Sequence, residues 1–224
     1  MRFLTKIPRG GTNPIFVRVL PFFIFVLLTA CQGRLGAASA YWFYLAKTIV
    51  GAWLIFEMRP LVAEMRWAIS WEAVVVGIVI FVLWVKLDGY YPQIFKSPST
   101  GNPAGSFGAR SALTAFFNAV HIVGMTLVVP PIEEVFYRSF VYRYIANPNF
   151  LAVPLNRFLP VPFCATILLF GFAHNEWLPG ILCGAAYQWL VIRKNRLGDA
   201  MTAHAITNLL LGIYIVWQGK WYFW

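Results

Sequence analysis

Pro130-Pro131-Ile132-Glu133-Glu134-Val135-Phe136-Tyr137-Arg138 places two adjacent carboxylates and an arginine inside an apolar run. The chain holds only eight acidic residues among 224, so two side by side in a greasy segment stand out. A charge at the bilayer centre costs at least ~2.5–3.5 kcal/mol, and such residues face a bundle interior or a watery cavity. The two prolines read as a helix start, because proline fits a first turn and breaks an interior. Glu133 and Glu134 then sit at the positive end of the helix dipole. Glu134 and Arg138 are spaced i,i+4 and can pair on one face. Glu133 is turned about 100° away, and its own i+4 neighbour is Tyr137. One glutamate reads as structural and the other as free for chemistry. The competing reading is a buried ion pair with a spare glutamate reaching the interface.

Composition sets the class. The chain is 60% hydrophobic and 12% charged, against about a quarter charged in soluble domains. Twenty Phe, ten Trp and ten Tyr suit a membrane protein with aromatic interfacial belts. The expected fold is all-α: a polytopic transmembrane bundle of about eight helices enclosing a polar cavity. It forms a single membrane-embedded domain over 1–224, with N-terminal helices and a long polar loop in 1–110 and a core in 111–212. The net charge of +10 points to loop anchoring and anionic headgroups as partners. No basic run is long enough for nucleic acid.

The spans are read at Pro14–Ala30 (with Arg18 snorkelling at its edge), 37–56 (interrupted by Lys47), 69–85, 111–129, 132–145, 161–172, 178–192 and 197–218. Residues 57–67 carry Glu57, Arg59, Glu64 and Arg66 at spacings for an interfacial helix. The polar stretch 86–110, with Ser97-Pro98-Ser99-Thr100, reads as a lid or a linker. Met1–Asn13 is a basic, solvated start. Cys164 and Cys183 read as small core residues. Leu28-Thr29-Ala30-Cys31 resembles a lipoprotein cleavage box, although a retained first helix fits the continuing hydrophobicity better. Several spans are short for a bilayer, and no internal repeat is evident.

All three histidines lie in or beside apolar runs. His121 reads as an ordinary interhelical contact. His174 ends one apolar segment, and His204 shares a helical face with Asn208 at i+4. Several unrelated polar groups would be costly in one small membrane protein, and one shared cavity is more economical. A free carboxylate and a neutral histidine can position a water and take its proton. A second histidine and a carboxamide can stabilise an oxyanion. That equipment suits peptide-bond hydrolysis without a covalent intermediate. The same Glu/His/His set could hold zinc with an open position, although no HExxH is present.

Three motifs carry a resemblance. Glu133-Glu134-Val-Phe-Tyr-Arg138 is similar to the EExxxR motif of the CAAX prenyl endopeptidase (Rce1-like, CPBP/Abi) membrane family. Phe170-Gly-Phe-Ala-His174 is similar to its FxxxH motif, and His204-Ala-Ile-Thr-Asn208 to its HxxxN motif. They occur in the family's order over about 111–212. The resemblance implies an eight-helix intramembrane protease with a cavity open to the membrane interface. It implies Glu133 as general base, His174 holding the water, His204 and Asn208 at the oxyanion, and Glu134 and Arg138 in support. It favours a metal-free, glutamate-activated water. Ser139 departs from the glycine that many members carry there. The overall look resembles the exosortase-associated subgroup. The implied substrate is a membrane-associated or lipidated protein or peptide at the cell membrane. Two other readings of the same cavity are a non-catalytic scaffold or immunity protein and a proton-coupled transporter.

Overall fold

A computed structural model describes residues 13–93 and 101–224; the basic start (Arg2, Lys6, Arg9) and Ser97-Pro98-Ser99-Thr100 lie outside the described residues. The described chain is all helical, with no strand. Its helices are α1 (Pro14–Ala30), α2 (Ser39–Met58), α3 (Trp71–Lys86), α4 (Ala104–Phe107), α5 (Ala112–Ala146), α6 (Pro160–Phe172), α7 (Trp177–Lys194) and α8 (Gly198–Gln218). Three of them, α2, α5 and α8, are long and apolar enough to cross a membrane, and α1 and α6 are shorter apolar helices.

Local chemistry sets the ends. Asn13 caps α1 by accepting from the Ile15 N–H, with Pro14 opening the first turn. Ser70 and Ser111 cap α3 and α5 in the same way. Each side-chain oxygen satisfies an N–H that has no partner within the helix. Asn195 and Gly219 close α7 and α8 in the left-handed region, the conformation that most often ends a helix.

The two segments read at 111–129 and 132–145 are one helix. α5 runs 35 residues, about 50 Å at 1.5 Å per residue, longer than a ~30 Å hydrocarbon core. Pro130 and Pro131 do not begin a new segment. They restart the α register just after a π-helical turn over Gly124–Val128, and a second π stretch follows at Val135–Val141. In the first, the Val129 N–H bonds to the Gly124 carbonyl five residues back. By the same offset the Met125 carbonyl would be served by Pro130, which has no N–H. The Asn208 carboxamide of α8 donates to that carbonyl instead, at 2.7 Å. A helix bearing an internal Pro pair in a membrane thus stays whole because a neighbour re-satisfies the freed backbone group.

Residues 59–70 form turns rather than the expected interfacial helix. Leu61 and Val62 fold back on the Met58 carbonyl at 2.8 and 2.9 Å, which turns Glu64 inward. There it accepts from Arg18 at 2.8 Å and Arg143 at 2.6 Å, and Ser139 donates to the same oxygen. Arg18 is therefore buried rather than snorkelling. Cys183 is buried as expected, but Cys164 lies on the exposed outer face of α6. The His121 ring is stacked between Tyr44 (3.7 Å) and Trp224 (4.1 Å).

α8 occupies the centre, packed on α3, α7 and α5. Helices in lipid gain no hydrophobic drive from meeting each other, so close contact through small residues and polar bonds holds them. Gly77 of α3 permits such contact: a Cβ there would lie 2.7 Å from the Ala203 carbonyl oxygen of α8. Thr207 of α8 then donates to the Gly77 carbonyl at 2.9 Å. Gly171 and Gly180 bring α6 and α7 together likewise. Phe23, Leu27, Val75, Leu169 and Trp217 stay exposed on the outer surface, where lipid tails would cover them.

Candidate active site

Glu133, His174, His204 and Asn208 line one cavity of about 460 Å³. Three elements deliver them: α5 brings Glu133, the turn between α6 and α7 brings His174, and α8 brings His204 and Asn208.

Glu134 and Arg138 form the wall behind. Both are fully buried, and they pair at 3.1 Å. Arg138 also donates to the Gly184 carbonyl of α7 at 3.4 Å and lies 4.3 Å from the centre of the Phe170 ring. The same Glu134 oxygen meets His204 Nδ1 at 3.0 Å. A carboxylate beside arginine only accepts, so this nitrogen carries a proton and Nε2 turns to the other side of the ring. The Tyr187 ring, 5.3 Å from that of His204, fixes its plane, and Tyr187 is itself anchored on Thr207 at 2.6 Å.

His174 is oriented by its own helix end. Its Nδ1 lies 2.8 Å from the Phe170 carbonyl oxygen. A carbonyl cannot donate, so Nδ1 holds the proton and neutral His174 presents Nε2 as an acceptor. Phe170 and Trp84 pack on the ring at 4.8 and 5.7 Å. Glu133 makes no hydrogen bond or ion pair with any described residue, and its Oε2 is buried without a partner. The pairing expected from the i,i+4 spacing is present: Glu134 is tied to Arg138 and Glu133 is not.

Asn208 uses one carboxamide N–H on Met125 and retains a second. Residues not singled out beforehand also line the cavity: Lys47, Gln32 and Glu176, whose Oε1 is buried and unpartnered. Lys47 was visible in sequence only as an interruption of an apolar span. Glu176 was visible as a carboxylate two residues after His174. Among the described residues no three His, Cys, Asp or Glu side chains converge as a metal-holding set.

The helical bundle, its buried charge pair and its polar chamber define an integral-membrane helical protein whose polar side chains converge inside the apolar layer. Residues 114–210 match the family described as type II CAAX prenyl endopeptidase Rce1-like. The match supports, at family level, a CAAX-type intramembrane protease, a hydrolase of membrane-associated substrates. The match is to the family as a whole and does not single out an exosortase-associated subgroup. Comparison with curated proteins and with solved structures finds no match.

Proposed function

We propose that the chain cuts a peptide bond of a membrane-associated protein or peptide with a water activated by Glu133. What carries the reading is the unpartnered Glu133 carboxylate beside a histidine whose free nitrogen can only accept, both on one cavity. A water between them would donate one hydrogen to His174 Nε2 and give the other to Glu133 as its oxygen attacks the scissile carbonyl. The proton on Glu133 then passes to the leaving amine, as general acid–base catalysis requires. The developing oxyanion needs donors. The second Asn208 N–H is one. His204 is the other in the form that carries a proton on Nε2 as well as on the Nδ1 held by Glu134.

The substrate is open, so the test uses the membrane proteome. New protein N-termini are compared by mass spectrometry in cells expressing wild type, Glu133→Gln or His174→Ala. Termini present with wild type and absent with both variants, at equal protein levels, support the mechanism. Equal termini in all three remove it. A scaffold or immunity role would instead keep its biological effect in Glu133→Gln, and a transporter would give solute flux in liposomes. Metal content with activity after chelation addresses zinc separately.

A further inference from the structure

The bundle has two ends of different charge, and the continuity of α5 decides which residues meet at each. Contacts fix the first end. Glu64 reaches Arg143 near the close of α5 at 2.6 Å. Glu72, at the start of α3, meets Lys194 at the close of α7 at 2.5 Å. Thr202, near the start of α8, donates to the Ala68 carbonyl at 2.9 Å. Other contacts fix the second end. Trp177, which opens α7, donates to the Pro92 carbonyl at 2.9 Å, and Tyr222, past α8, donates to Asp88, past α3. His121, in the early part of α5, stacks on Trp224. The three helices long enough to cross a membrane, α2, α5 and α8, therefore each run from one end to the other.

The first end carries exposed Arg59, Arg66, Arg157, Arg193 and Arg196 and partly buried Lys194. The guanidinium groups of Arg18 and Arg143 lie beneath them on Glu64. The second end carries Arg34, Lys86, Arg110 and Lys220. Acids at the first end are spent locally: Glu64 on Arg18 and Arg143, Glu72 on Lys194, Asp199 on Arg196. Arg59, Arg66, Arg157 and Arg193 form no ion pair with any described residue. In a helical membrane protein, arginine and lysine in short connections set the orientation, with the richer side toward the cytosol. The connections 59–70 and 147–159 at this end are far shorter than the ~60 residues to which that rule applies. Guanidinium groups left free at an interface also attract the anionic headgroups of the cytosolic leaflet.

The cavity belongs to the other end. On α1 its lining begins at Phe22 and continues to Gln32 in the turn beyond, and on α5 it stops at Glu133. Glu176, in the turn between α6 and α7, and Trp224 complete it toward the second end. None of the arginines and lysines of the first end lines it, nor does Glu64 or Glu72. The route to Glu133 thus opens at the second end.

We propose that the protein sits with its arginine-rich end on the cytosolic leaflet and takes its substrate from the opposite side of the membrane. The substrate class is then a membrane-associated protein whose cut segment has already crossed, and lies on the side away from the cytosol. The substrate half of this rests on the peptidase reading; the orientation does not.

The test reads the accessibility of single thiols in the full chain in intact cells. The parent carries Cys31→Ser and Cys164→Ser, and its remaining Cys183 is buried. Ala63→Cys and Asn156→Cys mark the first end, and Leu35→Cys and Tyr90→Cys the second; all four positions are exposed. A membrane-impermeant maleimide is expected to label Leu35→Cys and Tyr90→Cys in intact cells. Ala63→Cys and Asn156→Cys are expected to stay unlabelled until the membrane is permeabilised. Cys183 stays unlabelled throughout, which a misfolded chain would not allow. The reverse pattern, or labelling at both ends before permeabilisation, overturns the proposal. A second readout is the position of the new N-termini that disappear in Glu133→Gln, expected in segments away from the cytosol. Glu133-dependent termini in cytosolic segments overturn the proposal and leave the peptidase reading intact. Termini indifferent to Glu133→Gln, with the labelling pattern as expected, end the peptidase reading and leave the orientation standing.

Discussion

Two clusters of buried charge in this protein share their ingredients and differ in saturation. In one, Glu64 accepts from Arg18, Arg143 and Ser139 at a single oxygen. It ties α1, the turns after α2 and α5 together, and its residues do not line the 460 Å³ cavity. In the other, Glu134 holds Arg138 and His204, while its neighbour Glu133 is left unpartnered on the cavity wall. Breaking a buried pair leaves a charge stranded, so the first cluster is a joint. The second is a joint with one spare carboxylate, and that spare group is what chemistry can use. A buried ion pair alone therefore says little about function, and the unsatisfied group next to it says more.

The largest effect that could break this contrast is on rate. Glu133→Gln should lower cleavage about 10²–10⁴-fold, the usual worth of a general base, with little change in thermal unfolding. Glu64→Ala should do the reverse, leaving the rate per folded molecule unchanged while costing ~3–5 kcal/mol of stability by stranding two arginines. Unfolding in detergent alongside the release of new N-termini separates the two. A Glu64→Ala protein as stable as wild type would end the description of that cluster as a joint.

Acid titration sharpens the same point. Burial pushes the Glu64 carboxyl up, but Arg18 and the hydrogen bonds from Ser139 and Arg18 outweigh it and hold it at about 2, below the ordinary 4.5. A lowered folded value means the stabilisation is complete above about pH 4.5 and fades as the pH falls toward 2. Unfolding midpoints followed down that window should fall more steeply in wild type than in Glu64→Gln. Parallel slopes would count against it.

Smaller effects follow. Asn208→Ala removes the donor to the Met125 carbonyl, at an expected ~1–3 kcal/mol for a buried acceptor left unmade. If Asn208 also serves the oxyanion, its cleavage rate drops further than the stability loss explains; a rate that tracks folded protein alone confines it to the backbone. Ser139→Gly takes one donor from a carboxylate that keeps two arginines, so ~0.5–1.5 kcal/mol is expected, with cleavage intact. A larger loss would show that the serine, rather than the arginines, organises the joint.

Much of this was legible in the chain. α1 begins and ends where the Asn13-Pro14 cap and the apolar run place it, and α6, α7 and α8 fall within two residues of their expected bounds. The Glu134–Arg138 pair followed from i,i+4 spacing, which the π stretch did not abolish. The continuity of α5 was not legible, because a double proline reads as a break unless the compensating donor on α8, 83 residues away, is known. Nor was the burial of Arg18, whose acceptor Glu64 lies 46 residues along the chain. Cys164 was misplaced because an apolar segment in a membrane does not reveal by composition which side faces lipid.

The amino-acid order by itself determined the class, the helix spans and the short-range partners, since periodicity, capping and i,i+4 geometry act within a few residues. Tertiary structure alone decided which polar groups share a chamber, which are saturated, and that Lys47 and Gln32 also line it. Those outcomes depend on contacts between helices remote in sequence, where small residues and freed carbonyls let one backbone approach another.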